Sequence, residues 1–500
     1  MCGIAGVWGD DDVEVVRGMI AKMSHRGPDG SGYHRAEDSK TVLGHTRLAV
    51  MDPQGGAQPM HGDRAPNTIV GNSEIYNYPE LREDLEFHHR FGSRSDTEVA
   101  LHLYEDLGVS TAQRLDGMFA IAIADEEGLF LARDPIGIKP LYVGRRNSAL
   151  LFASELKALA GVAEQVRPFP PGTCFHSPTG FRTYYVVPDS QPRELELQPL
   201  LDIVRATLTE AVRKRLMSDV PVGVFLSGGL DSSIIAALMR DQMDELHTFA
   251  VGREGSPDLR AARTVAQHLG THHHEAVFTT ADIERHLPEI VFHLESFDQH
   301  LVRSAIPCFF CARLAAEHVK VVLTGEGADE LFAGYRYLHE MHDDRRLHDE
   351  LRRLVTGLHG LNLQRVDRLT MAHSLEARVP FLDLAVVQLA QVIHPRLKLR
   401  DNGNGGRTEK WILRRAFEDL LPAEIIEREK AQFDAGSGAT QAVAEVCERL
   451  VDGDRVDRYM EQHAGDRLRS AEECFYHQLL VSAYDAPAEV LANVSRWMPG

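Results

Sequence analysis

The sequence predicts two domains of different class, an α+β layered half over residues 1–190 and an α/β half with a parallel sheet over residues 191–500. Three observations predict it. Up to about residue 190 the chain runs in short alternating or apolar stretches broken by turn residues, "CGIAGVWGD", "TVLGHTRLAVMD", "NTIVGNSEIYN", "GMFAIAIADEEGLFLARD" and "RTYYVV". That is the pattern of strands, joined by a few helices such as one beginning at Ser95. Further on, strand-like runs alternate with longer helical ones, "VPVGVFL" before "DSSIIAALMRDQM" and "LHTFAVG" before "LRAARTVAQHLG", ahead of a helix-rich tail. Such alternation implies βαβ units whose ligands sit at the carboxyl ends of the strands. Between the two patterns "PDSQPRELELQPL" is polar, contains proline and reads as the linker. A chain of 500 residues is also too long for a single core.

The opening "MCGIAGVWGD" places a thiol at the second position. A secretion signal needs a basic start and an apolar stretch of about 7–15 residues, but the apolar stretch here stops at Trp8 and acidic residues follow. Myristoylation needs glycine directly after the initiator methionine, and Gly3 is one place too late. Two readings remain, a buried structural cysteine and a nucleophile at a processed N-terminus. Loss of Met1 would put a thiol and a free α-amine on Cys2, and an amine with a pKa of ~7.7–8 can act as the thiol's own base.

Composition narrows the classes. With 74 Asp and Glu against 54 Lys and Arg, the chain is a poor match for nucleic acid. Six scattered cysteines favour a reducing, cytoplasmic compartment. Cys308 and Cys311 form a CxxC, but they lie in an apolar-faced helical run without further ligands at metal spacing, so packing is the expectation. "THHHEA" near residue 271 reads as a loop with no matching ligand set. No run of about 18 apolar residues is present, so no membrane span is expected.

"VGVFLSGGLDSS" is a buried strand, a small-residue turn and a helix start. Glycines let backbone approach a phosphate, and the amides of a helix N-terminus bind anions. It is neither a Walker A loop nor GxGxxG; it resembles the pyrophosphate loop of enzymes that split ATP into AMP and pyrophosphate. "VVLTGEGADELFAGY" repeats the pattern and adds Glu326, Asp329 and Glu330. Carboxylates beside a triphosphate repel it unless magnesium or a lysine intervenes, which makes Asp231 and Asp329 natural Mg2+ ligands. A solvated acidic helix start is the alternative.

Taken together, "CGIAGVWG", "HRGPDG", "HTRLAVMDPQGGAQPM", "SEIYNYPELR", "RSDTEVAL", "ARDPIGIKPLY", "FLSGGLDSS", "TGEGADELFAGY", "SLEARVPFLD" and "EKAQFDAGSG" resemble the glutamine-hydrolysing asparagine synthetases over almost the whole chain. The resemblance implies an N-terminal-nucleophile αββα sandwich, a class II glutamine amidotransferase, followed by a parallel-sheet ATP-pyrophosphatase α/β domain with a helical C-terminal part. It implies that Cys2 attacks the glutamine amide, giving a thioester and ammonia. Arg47 would grip the glutamine carboxylate, with Leu48, Ala49, Val50 and Met51 alongside. Asn72, Ser73, Glu74 and Asp96 would hold the oxyanion and the amine. Ammonia would then cross an internal tunnel to a second site, where ATP adenylates a carboxylate. There Phe225, Ser227, Gly228, Gly229, Asp231, Ser232, Ser233, Val251, Thr324 and Gly325 would bind ATP with Mg2+. Glu326 would act as base or orienter for ammonia attack, Lys430 would neutralise the phosphate, and Arg303 and Asp383 would lie near the acceptor. The implied partners are glutamine, ATP and a carboxylic acid, aspartate by default; the resemblance allows a homodimer.

Two departures bear on these roles. The family usually reads Asn-Gly-Glu where this chain has Asn72-Ser73-Glu74, and serine would be strained there if the position needs φ > 0. Around Arg303 the relatives that use aspartate often carry hydroxyl residues, whereas this chain has His300, Leu301, Ala305 and Ile306. A more apolar pocket leaves a different carboxylic acid, as in specialised metabolism, open as the acceptor.

Overall fold

The structure is a computed structural model that describes residues 2–36, 38–403, 405–450 and 453–498. Two six-stranded sheets fill the first half. One runs in the spatial order Glu164–Pro168, Tyr142–Arg146, Ala149–Ala153, Gly3–Trp8, Thr41–Arg47, Gly30–Ala36, and its neighbours pair antiparallel. The other runs Gly180–Thr183, Thr173–His176, Gly128–Arg133, Gly117–Asp125, Thr68–Ile75, Met60–His61, also antiparallel. The two-residue period of "GMFAIAIAD" explains the stacking. Ala120, Ala122 and Ala124 pack with Ile4, Leu43 and Phe152 of the opposite sheet. Phe119, Ile121 and Ile123 face the other way, onto the layer built by helices Tyr78–Leu85 and Asp96–Leu107. Helix Val13–Ala21 buries Val16, Met19 and Ile20 on the outside of the first sheet, so four layers result, helix, sheet, sheet, helix.

The second half holds a five-stranded parallel sheet in the order His272–Val277, His247–Gly252, Val222–Phe225, Val321–Leu323, Glu376–Arg378. The chain starts at the middle strand, steps outward twice to one side, then returns to the other side. The strand order therefore reverses between Val222–Phe225 and Val321–Leu323, and in open α/β sheets a crevice forms outside the strand ends at such a point. Helices Leu230–Arg240, Pro257–Leu269, Thr280–Leu294 and Gln299–Ala316 make the connections. The remainder of the chain is mainly helical, from Asp344–Gly357 to Ala488–Leu491.

One expectation fails here. "THHHEA" is not a loop: His272–Val277 is the edge strand of the parallel sheet, because its residues pair with His247–Gly252. His274 does find companions, His247 and His318, with His247 Nδ1 2.9 Å from His274 Nε2. Cys308 and Cys311 lie buried on the helix expected for them, and all six cysteines are free and buried. Among the described residues no helix is long and apolar enough to cross a membrane.

The halves meet through buried charge. Arg26, wholly buried, donates from Nη1 to Glu155 at 2.6 Å and to Asp367 of the second half at 2.8 Å. Lys157 bridges Glu155 at 2.6 Å and Glu295 at 3.0 Å, and Arg368 lies 3.1 Å from Glu295. Burial works against ionisation of Glu155, yet Lys157, His25 and Arg26 hold its carboxyl well below the usual range. Removing one member of such a network strands a charge in a poorly solvated place. Asp367→Ala is expected to destabilise the protein by about 3–5 kcal/mol in urea unfolding, whereas Asp419→Ala, which breaks the exposed pair with Arg205, should cost less than about 1 kcal/mol.

Candidate active site

Cys2 immediately precedes strand Gly3–Trp8 of one sheet, and Asn72 sits on strand Thr68–Ile75 of the other; stacking the sheets brings them together. The Cys2 amide donates to Asn72 Oδ1 at 3.0 Å, and the thiol lies 3.9 Å from the Leu48 carbonyl. Asn72 is fully buried and its Nδ2 has no hydrogen-bond partner among the described residues. A buried amide donor beside a thiol is what a developing oxyanion requires. Burial pushes the Cys2 thiol up, so it needs a base to become a nucleophile. Met1, whose removal the N-terminal-nucleophile reading requires, lies outside the described residues.

Arg47 is pinned by carbonyls of the loop that follows it, donating to Pro53 at 3.0 Å and Asp52 at 2.7 Å. The same loop, with Leu48, Ala49, Val50 and Met51, is anchored from Ala49 N to Asp29 at 2.7 Å. Glu74 is buried and paired with Arg378 of the second half at 2.9 Å. Asp96 begins helix Asp96–Leu107 and accepts from the Ile75 amide at 2.8 Å. Burial pushes Glu74 well above the usual carboxyl range against the pull of Arg378, and pushes Asp96 up to about 6. Two such carboxylates suit a cation arriving with a ligand. Ser73 resolves the first departure. It lies mid-strand, outside the positive-φ region, and its Oγ meets Thr97 Oγ1 at 3.0 Å on the face opposite Asn72 and Glu74, so it carries no backbone strain.

The second cluster occupies the crevice at the strand reversal. Phe225, Ser227, Gly229, Asp231, Ser232, Val251, Thr324, Gly325, Glu326, Asp329 and Lys430 all line one cavity. Helix Leu230–Arg240 starts at Gly229 with no side chain capping it, which leaves its first amides for an anion. Ser227 Oγ and Ser232 Oγ lie 3.1 Å apart across the turn. Gly228, at φ +67°, does not line the cavity; a Cβ there would fall 2.4 Å from the Ala261 carbonyl carbon. Ser233 is fully buried and does not line the cavity either.

Asp231 and Asp329 come together, but through lysines. Lys410 Nζ lies 2.5 Å from Asp231 and also pairs with Asp329, while Lys430 Nζ is 2.8 Å from Asp329 and 3.7 Å from Asp231. Burial opposes the charge on Lys430, yet Asp329 and Asp231 hold the ammonium far above its ordinary value. Lys410 escaped sequence reasoning because "GGRTEKW" matches nothing by itself; Arg365, which pairs with Glu326, escaped for the same reason. Asp231 Oδ1 is buried without a hydrogen-bond partner, so the donor set fits a hard divalent cation. Arg303 and Asp383 are not part of the cavity. Arg303 turns to Glu472 at 2.5–2.8 Å, and Asp383 caps helix Leu384–Val392 and pairs with Arg215 at 2.9 Å.

A layered half opening on a thiol at Cys2, followed by a parallel sheet with a glycine-rich loop at the strand reversal, is the arrangement of an amidotransferase. Comparison with known proteins agrees. Residues 1–169 match the glutamine amidotransferase domain, and residues 203–354 and 339–498 match asparagine synthase. Asparagine synthetase [glutamine-hydrolyzing] 3 of Arabidopsis thaliana is 42% identical over 469 residues, 88% of this chain and 79% of that protein. A probable asparagine synthetase [glutamine-hydrolyzing] of Dictyostelium discoideum is 36% identical over 539 residues, covering 100% of this chain and 96% of its own. Among solved structures, a glutamine phosphoribosylpyrophosphate amidotransferase from B. subtilis aligns with TM-score 0.33 and 20% identity, over 51% of this chain and 67% of that one. The chain belongs to the glutamine-hydrolysing asparagine synthetase family.

The approach of the two loops gives a test. A Cβ on Gly325 would lie 2.8 Å from the Asp231 Cβ, so one loop must move. Gly325→Ala is expected to weaken binding of a non-hydrolysable ATP analogue about tenfold or more in calorimetric titration, since a shift of ~1 Å is costly at such sites.

Proposed function

We propose that the chain hydrolyses glutamine at Cys2 and uses the ammonia, with ATP, to convert aspartate to asparagine, leaving AMP and pyrophosphate. The observation that carries this is the position of Arg378. Its side chain pairs with Glu74, two residues along the strand from Asn72, and its backbone carbonyl accepts from Thr324 N at 2.9 Å on the nucleotide loop. One residue thus touches both clusters, as coupled release and use of ammonia requires.

In this reading the Cys2 α-amine, freed by loss of Met1, takes the thiol proton, and Asn72 Nδ2 donates to the oxyanion of the tetrahedral intermediate. Arg47 offers its fork to the substrate carboxylate. Glu74 and Asp96 receive the α-ammonium, whose charge offsets the burial that raises both. Ammonia travels inside the protein, because in bulk water it would be protonated and no longer nucleophilic. At the second cluster the uncapped helix start and Lys430 receive the phosphates. Asp231 and Asp329 would hold Mg2+, which supplies charge neutralisation for the triphosphate when bound. Arg365 orients Glu326 toward the incoming ammonia. A reducing, cytoplasmic setting suits a thiol nucleophile and six free cysteines.

Aspartate is favoured over a less polar acid by the way helix Gln299–Ala316 presents itself. His300, Leu301 and Ser304 face the cavity, while Ala305 and Ile306 are fully buried away from it. Two of the three apolar departures therefore do not shape the pocket. Arg303 could reach an acceptor only by leaving Glu472.

Cys2→Ala should abolish glutamine-dependent synthesis and keep synthesis from ammonium chloride, while Asp231→Asn should abolish both and spare glutaminase turnover. ADP and phosphate in place of AMP and pyrophosphate would overturn the reading of the second loop. The pH profile gives a separate check. Asp96 is ionised above about 6 and neutral below it, so kcat/KM for glutamine should fall on the acid side of pH ~6. The limb in kcat should lie at lower pH, because bound ammonium stabilises the carboxylate.

A further inference from the structure

Away from both clusters, three segments of the first half converge on one point. The loop at Gly62–Asp63, the turn at His88–His89 and helix Asp96–Leu107 bring together Asp63, His89, His102 and Glu105. We infer that these four side chains form a tetrahedral zinc site, which staples the helix bearing Asp96 to the loops around it.

The distances carry the inference. His89 Nδ1 lies 2.7 Å from Asp63 Oδ1 and 3.5 Å from Glu105 Oε2; His102 Nδ1 lies 2.9 Å from Glu105 Oε2 and 3.4 Å from Asp63 Oδ1. Zinc bonds of about 2.0–2.1 Å in a tetrahedron put ligand atoms about 3.3 Å apart. Four contacts of 2.7–3.5 Å around one point match that figure. Three of the four remaining polar atoms of these side chains are already occupied, all but His102 Nε2. Asp63 Oδ2 accepts from Arg90 N at 2.8 Å, and Glu105 Oε1 accepts from Ala65 N at 3.0 Å, which turns the other oxygen of each inward. His89 Nε2 is hydrogen-bonded to Asp106 Oδ1 at 3.1 Å, while His102 Nε2 points toward Glu98 Oε1 at 3.6 Å without a hydrogen bond. An imidazole that ligates through one nitrogen and gives the other N–H to a carboxylate is the usual outer arrangement of a metal-bound histidine.

Two imidazoles and two carboxylates at four-fold coordination suit zinc rather than magnesium or calcium, which prefer more oxygen ligands. The His89 side chain is wholly buried, while that of Asp63 is 21% exposed and provides the entry side. Gly62 belongs to the same construction, since a Cβ there would strike Glu105 Oε1 at 2.3 Å.

The test uses the full-length protein without a histidine tag. After dialysis, elemental analysis is expected to find about one zinc per chain, either retained or taken up from added zinc. Cobalt exchanged into the wild type should give the intense visible absorption of tetrahedral Co2+. Asp63→Asn and His102→Gln should lose the metal, and Asp106→Asn, which removes only the outer carboxylate, should weaken zinc binding by about 10–100-fold. Chelation should lower the unfolding temperature of the wild type but not of Asp63→Asn, whose loop position makes it the variant that keeps its fold. The site is overturned if the wild type binds neither zinc nor cobalt at micromolar concentration. It is equally overturned if bound zinc disappears with His274→Ala, in the other histidine cluster, and survives Asp63→Asn.

Discussion

Buried guanidinium groups at the seam between the halves set the register on which both clusters depend. Arg26 donates to the Cys2 carbonyl at 3.0 Å as well as to Glu155 and Asp367. Arg378 is shared between Glu74 of the first half and Glu376 at 2.6 Å on its own strand. A desolvated charge is tolerated only where its partners stand at fixed positions. An apolar seam could slide by a fraction of a side chain and still exclude water. This one cannot, because a slide would separate Arg26 from Asp367 and Arg378 from Glu74 together. Surface contacts such as Lys320 with Asp29 at 2.8 Å act in the same direction but are screened by solvent.

The parallel sheet supplies the complementary constraint. Because its strand order reverses beside Val222–Phe225, the loops at Ser227 and Gly325 emerge next to each other. Their carboxylates would repel if left alone. Lys410 and Lys430 meet that charge from the C-terminal part of the chain, which explains why the helical tail must fold back over the sheet. The opening of the cavity and the docking of the tail are one packing event.

Much of this was legible in the sequence for a physical reason. Strand period, turn residues and glycine-rich loops are local signals, and they mark the strand-rich first half, the parallel sheet and the loops that carry Asp231 and Asp329; the sandwich of two sheets and the place of Asn72 beside Cys2 followed only from the family resemblance. What escaped was assembled over distance. Lys410 is 179 positions from Asp231, and Arg378 is some 300 from Glu74. The "THHHEA" stretch was misread because an edge strand of a parallel sheet needs no alternation when half its face is wet. Asp63, His89, His102 and Glu105 show only a His-x-x-Glu step on one helix, and such a step is common on helices that bind nothing. Ser73 illustrates the reverse: a departure from the family pattern drew notice by identity, yet its strand conformation makes it harmless.

The lysine pair also constrains how the second cluster can work. Asp329 and Asp231 already hold Lys430 firmly protonated, so arrival of a triphosphate demands no proton transfer from that side chain. It requires only an exchange of partners, carboxylate oxygen for phosphate oxygen. The carboxylates released by that exchange would be left uncompensated in a poorly solvated cavity, where Asp231 and Asp329 would be free to hold a divalent cation that would supply the missing positive charge. On the proposed reading nucleotide and cation would then bind together, since either alone would leave charge unmatched. With only lysines as counterions the carboxylates would keep them, and the phosphates would find no cation free.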